Sequence, residues 1–165
     1  MLQQPRAKSA AKLTHVVIVL SLAWANVVYM MIAYFMTIHP SPDRAQLHVP
    51  TSVQLNSAYL AALVCLFAGP GWFQFRTKGR AGDSPTSTLM PPALFQTESI
   101  TGMAITEACA IFGLLTFFLG ASLATFAPFA IASMAVDIVF FLPRVLKYWS
   151  VWEKGHGSKD GKTSF

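Results

Sequence analysis

The chain has 165 residues, of which 54% are hydrophobic and only 12% charged, and its mean hydropathy is +0.50. Soluble domains carry about 25% charged residues, so the composition excludes an ordinary water-soluble domain. With only seven acidic residues it also excludes a disordered acidic chain. The net charge of +5 suggests nucleic acid until the basic residues are placed. They flank apolar segments, where a membrane accounts for them and no nucleic acid is needed.

The first apolar segment runs from Val16 to Ile38 and contains no charged residue. A helix rises about 1.5 Å per residue and the hydrocarbon core is about 30 Å thick, so the segment is long enough to span. Arg6, Lys8 and Lys12 precede it, and Ala23-Trp24-Ala25 has the small-x-small form of a signal-peptidase site. The apolar run continues well past that point to Ile38, which predicts a retained helix rather than a cleaved leader. Asn26 falls near mid-membrane, with Ala23 and Ala33 on its side, and is expected to hydrogen-bond a neighbouring helix. His15, at the start of the segment, has no catalytic partner in the sequence pattern.

A Pro-rich loop from His39 to Ser57 follows, and His39 and His48 are read as solvated loop residues rather than metal ligands. The second segment, about Ala58 to Phe75, ends with Trp72 and Phe73, which are expected to anchor at the headgroups. Pro70 is a candidate kink. The loop after it carries Arg76, Lys78, Arg80 and the prolines Pro85, Pro91 and Pro92.

The third segment spans about Ser99 to Gly120, and the Gly120-Ala121-Ser122 turn leads to the fourth, about Leu123 to Leu146. Tyr148, Trp149 and Trp152 are read as a second set of interfacial anchors, and the Gly/Lys/Ser-rich tail 153–165 as disordered. Cys65 and Cys109 lie in apolar runs without metal or redox spacing, and are read as small hydrophobes. Basic residues run rich, poor, rich, absent, rich along the chain. That pattern predicts an all-α, integral membrane four-helix bundle with both termini cytoplasmic.

Two carboxylates break the apolar segments, Glu107 in the third and Asp137 in the fourth. An ionisable group at mid-bilayer costs roughly 2.5–3.5 kcal/mol on the insertion scale, so each needs a reason. Glu107 lies about 12 Å and Asp137 about 10 Å from the same side of the membrane, so a hairpin of the two helices sets them at one depth. At least one is expected to keep its proton at neutral pH. The pair is then an interhelical polar clamp or a proton-relay or ion-binding site. Ser133 and Arg144 share the Asp137 face as supporting groups, with Arg144 reaching for the headgroups.

Gly102, Thr106, Ala110 and Gly113 form a small-residue face on the third helix that permits close helix packing. Glu107 is offset from that face, which predicts a carboxyl at the rim of the contact, turned toward a partner subunit or lipid.

The stretch Ala104-Ile105-Thr106-Glu107-Ala108-Cys109-Ala110-Ile111-Phe112-Gly113-Leu114-Leu115 resembles the ion-carrying helix of rotary ATPase proteolipids, the c-type subunits. Glu107 takes the position of the family's ion-carrying carboxylate, and Phe112-Gly113-Leu114 that of its aromatic-Gly-Leu step. The resemblance implies proton or cation translocation at Glu107, with Arg76, Lys78 and Arg80 in a cytoplasmic loop. The second segment departs from the family's glycine-rich partner helix, having only Gly69 and Gly71. The overall arrangement also resembles small four-helix bacterial membrane proteins, which implies a bacterial inner membrane.

No nucleophile triad, phosphate loop or metal box is present, so no cofactor and no catalysis are expected. The sequence therefore predicts an accessory or structural subunit of a larger inner-membrane complex. The partners would be the bilayer and other membrane subunits or further copies of the chain. The competing expectation is a proteolipid-like proton or cation relay at Glu107.

Overall fold

The computed structural model describes residues 4–39, 51–78 and 89–157. These residues are helical apart from short caps and turns: α1 (Gln4–Ile38), α2 (Ser52–Thr77), α3 (Pro92–Phe118), α4 (Leu123–Val136) and α5 (Leu142–Gly157). A π-helical turn, Asp137–Phe141, joins α4 to α5, so these three pieces make one rod and the bundle has four. All four rods are long and apolar enough to cross a membrane.

Each rod is longer than its apolar segment because local signals set the ends. A capping box starts α2: the Gln54 N–H donates to Thr51 Oγ1 (3.3 Å) and the Thr51 N–H donates to Gln54 Oε1 (3.0 Å). Pro92 occupies the first turn of α3, where its missing N–H is no loss. At the other end Gly120 adopts φ 106°, a left-handed conformation, and the Ala121 N–H bonds Thr116 O. Glycine takes that conformation without a Cβ penalty, which stops α3 there. Ser122 then caps α4 through the Thr125 N–H, satisfying one of its free first-turn donors.

The last rod continues to Gly157, so helix replaces the expected disorder over 153–157. The rest of that tail, with Arg44, His48, Arg80, Pro85 and the loops that hold them, lies outside the described residues.

The π turn has a chemical cause in Pro143. Proline offers no N–H to Val139 O, and its ring crowds that carbonyl. The ladder widens instead, and the Leu142 N–H bonds Asp137 O. Pro70 and Pro128 are both carried inside continuous helix.

Contacts fix the directions of the rods. His15 meets Ser99 and Asn26 meets Glu107, so α1 and α3 run parallel. Trp72 meets Glu98, whereas Ala62 and Cys65 pack beside Cys109, so α2 runs antiparallel to α3. Lys12 pairs with Glu153 at 3.2 Å, setting α5 antiparallel to α1.

The central element is α3. Half of its most apolar stretch is buried, against 22% for α1 and 11% for α2. Trp24, Met31 and Phe35 on α1, Leu60 and Phe67 on α2, and Ile131 and Val139 on the last rod are exposed. An exposed apolar surface of this extent is consistent with an integral membrane protein.

The expected small face lies on α3 and is divided among three neighbours. Gly102 and Thr106 receive Gly69 of α2, at which any Cβ would collide with the Thr106 hydroxyl and the Gly102 carbonyl. Gly113 faces Phe129 of α4, 2.8 Å from where its own Cβ would stand. Ala110 packs with Ala33, Phe117, Phe126 and Ala130 between α1 and α4.

Candidate functional site

Polar side chains occupy two levels inside the bundle. The first lies at the end shared by the start of α1 and α5. There His15 is fully buried, accepts from Trp149 Nε1 at Nδ1 (3.2 Å) and sits 2.6 Å from Ser99 Oγ through Nε2. Because Nδ1 accepts, Nε2 carries the hydrogen and donates to Ser99 Oγ. The Ser99 hydroxyl in turn donates to Gln96 O at 2.9 Å. The chain Trp149, His15, Ser99, Gln96 is thereby satisfied at each step. His15 acts as a donor to the serine, so it has no free base with which to activate the hydroxyl. The sequence pattern left His15 isolated, and the fold surrounds it.

Replacing Trp149 with Phe removes only the indole donor and leaves His15 Nδ1 buried without one. We expect a loss of about 1–3 kcal/mol, read from unfolding of the purified protein in mixed micelles.

At the same level Glu98, 8% exposed, accepts from Trp72 Nε1 (3.1 Å) and Arg76 Nε (3.0 Å). Arg76 also places Nη2 2.8 Å from Glu98 Oε1 and lies over the Trp72 ring. Glu98 escapes sequence reasoning because it stands just outside the expected third segment. Its pairing with Arg76 across the 76–98 connection was the available signal.

Aromatic packing corrects the expectation of interfacial anchors. Phe73, Tyr148 and Trp149 are buried, with Phe95 stacked on Tyr148 at 3.7 Å between ring centroids. Tyr148 also donates its hydroxyl to Met90 O. Trp72, the partner of Glu98, remains partly exposed.

The second level holds Asn26, Glu107 and Asp137, one from each of α1, α3 and the π turn. Asn26 and Asp137 are fully buried and Glu107 is 5% exposed. Asn26 Nδ2 donates to Glu107 Oε1 at 2.8 Å, and the Asp137 carboxyl is a near neighbour of the Glu107 carboxyl, close enough for the two to act on each other electrostatically. The expected position of Glu107 at the rim is overturned: its carboxyl points into the bundle, toward α1 and the π turn. The expectation of a common depth for the two carboxyls agrees with this arrangement.

The supporting groups separate from the pair. Ser133 donates to Thr106 O across the α3–α4 seam at 3.3 Å, a long bond for a hydroxyl. Arg144 is exposed, donates to Phe140 O (2.9 Å) and stacks on the Phe140 ring at 3.6 Å. It belongs to the bundle exterior, as its expected reach for the headgroups requires, and does not pair with Asp137.

Donor bookkeeping is incomplete at this level. Asn26 Oδ1, Glu107 Oε2 and both Asp137 side-chain oxygens are buried and meet no N–H or O–H donor. Apolar layers close the cluster on both sides. Val19, Met103, Phe141 and Val145 separate it from the His15 level, and Ala33, Ala110, Phe117, Phe126 and Ala130 lie on the far side. Among the described residues no three of His, Cys, Asp or Glu come together as a metal-holding group.

Comparison with known proteins finds no match: no family model, no curated protein and no solved structure is similar to the chain.

Proposed function

We propose that the chain is a non-catalytic multi-pass protein of a bacterial inner membrane, with both termini cytoplasmic, acting as a structural or accessory subunit of a larger membrane complex. The observation that supports this most is the enclosure of its polar groups. The His15 network and the Asn26–Glu107–Asp137 cluster face inward, the Glu98 carboxylate is held at the edge by half-exposed Arg76 and by Trp72, and all three join rods to one another, while most of the exposed surface of the rods is apolar. Such an arrangement fixes one packing of four helices and, among the described residues, presents no reactive group to a substrate.

A proteolipid-like relay needs a continuous polar path, and a rotor site needs a carboxyl that reaches the face of a neighbouring subunit. The two apolar layers and the inward turn of Glu107 favour the scaffold over either. The basic residues of the N-terminal segment, the second loop and the tail support cytoplasmic termini.

Gentle detergent extraction of the tagged full chain, with its native mass and accompanying polypeptides measured, tests the reading. A mass well above 18.0 kDa with stoichiometric membrane partners is the expected result. A monomer or homo-oligomer alone overturns the accessory role.

A further inference from the structure

Past the π turn the last rod carries Arg144, Lys147 and Lys154, and all three are exposed. At about 100° per residue they fall within about 80° of one another around the helix. Glu153, the one acidic residue of α5, pairs instead with Lys12 of α1. Val145, Tyr148 and Trp149 turn to the core. The rod therefore shows a basic stripe to the outside, at the end of the bundle that holds His15.

The stripe adjoins α2. The Phe140 and Phe73 rings meet edge to face at 6.2 Å between centroids, and α2 and the last rod run in the same direction, each antiparallel to α1 and α3. Past that contact Lys78, exposed at the end of α2, follows Phe73 by five residues, and Arg144 and Lys147 follow Phe140 by four and seven. At about 1.5 Å per residue the three cations lie within about 5 Å of one depth. Packed helices stand about 8–10 Å apart, so the cations flank the end of one seam. The sequence of α2 contains no acidic residue, and Arg76 at the same end is taken by Glu98. Among the described residues no carboxylate meets Arg144, whose guanidinium donates to Phe140 O and stacks on the Phe140 ring.

The depth of the stripe decides what it faces. Leu146, between Arg144 and Lys147, is 44% exposed, and Val139, just over one turn before Arg144, is 74% exposed. Cations and exposed apolar side chains alternate there, as they do where headgroups meet acyl chains. An acidic soluble protein would match the charges and leave the apolar side chains against water. An anionic phospholipid matches both: its phosphate accepts from the cations and its chains cover Val139 and Leu146.

We propose that the end of the seam between α2 and the last rod is a binding site for one anionic phospholipid, its phosphate held by Arg144 together with Lys147 and Lys78. Lys154, about 15 Å along the helix from Arg144, lies outside the site. This goes beyond the scaffold reading and does not rest on it, since the test needs no partner protein.

The purified full chain in a neutral detergent is titrated with phosphatidylglycerol or with phosphatidylcholine of the same acyl chains, and the lipid-bound fraction is read by native mass spectrometry. The wild-type chain should bind phosphatidylglycerol at least about tenfold more tightly, with the preference falling as salt is raised. Each cation near the headgroups contributes about fivefold. Arg144→Gln should therefore weaken phosphatidylglycerol binding about fivefold and Arg144→Gln/Lys78→Gln about 25-fold, while Lys154→Gln changes it less than about twofold. Phosphatidylcholine binding should be the same in all of them. If the variants do not fold, the wild-type preference and its loss in salt decide alone. Equal affinity for the two lipids, or an effect of Lys154→Gln as large as that of Arg144→Gln, overturns the proposal. So does binding of a polyglutamate peptide in place of the lipid, which would assign the stripe to an acidic protein.

Discussion

Substituting alanine for Gly69 is expected to lower stability by about 3 kcal/mol, whereas the same change at nearby Gly71 should raise it by up to about 1 kcal/mol. A Cβ at Gly69 meets the Thr106 hydroxyl and the Gly102 carbonyl, and at Gly102 backbone must move. Rods α2 and α3 would have to separate along their whole contact, and α2 has little other purchase on the bundle: its buried residues are Ala62, Gly69, Phe73 and Thr77. Gly71 has nothing within 4 Å of the corresponding position, so only helix propensity changes there. Unfolding of both variants in mixed micelles checks the contrast. Equal effects at the two sites would show that the close approach of α2 to α3 does not hold the bundle together.

The four rods were legible because hydrophobic length is a one-dimensional signal and lipid leaves the backbone only the helix. Their ends were less so. Hydropathy reports the part of a helix inside lipid, while Thr51, Pro92 and Lys12 act beyond it through caps and ion pairs. The small face on α3 was readable from spacing, since Gly102, Thr106, Ala110 and Gly113 repeat at helical intervals. Its division among α2, α1 and α4 depends on where neighbours stand, which spacing does not contain. The burial of Tyr148 and Trp149 has the same origin. A helix that continues past the apolar segment can pack its aromatic residues on α1 and α3 rather than rest them at the headgroups. Glu107 and Asp137 were found because a carboxylate in an apolar run is conspicuous. Asn26 was recognised as an interhelical donor, but its pairing with Glu107 rests on α1 lying beside α3. Pro143 carried a signal for the π turn that places Asp137, and the apolar pattern hid it.

Removing one member of the Asn26–Glu107–Asp137 cluster should cost about 3–5 kcal/mol, whereas replacing all three with Leu or Met should be close to neutral or stabilising. Glu107→Leu takes away the acceptor of Asn26 Nδ2 and the facing group of Asp137, so two buried polar groups lose their partners together. Asn26→Leu removes the one side-chain N–H donor that the cluster has among the described residues. The double variant Asn26→Leu/Glu107→Leu should therefore cost less than the sum of the singles, by about 1 kcal/mol, the scale of an interhelical hydrogen bond in membranes. Glu107→Gln keeps the size of the side chain and adds a donor, and should lie between wild type and Glu107→Leu. Strict additivity across the cycle would mean that the Asn26–Glu107 bond has no energetic weight in the folded protein. The apolar triple variant separates stability from purpose. If it is as stable as the natural chain and assembles with the same partners, the carboxyls are not required to hold the rods, and a role that uses their exchangeable protons is what remains to them. If it fails to assemble, the cluster selects one packing among several that an apolar interior would allow, and its value to the scaffold lies in that selection.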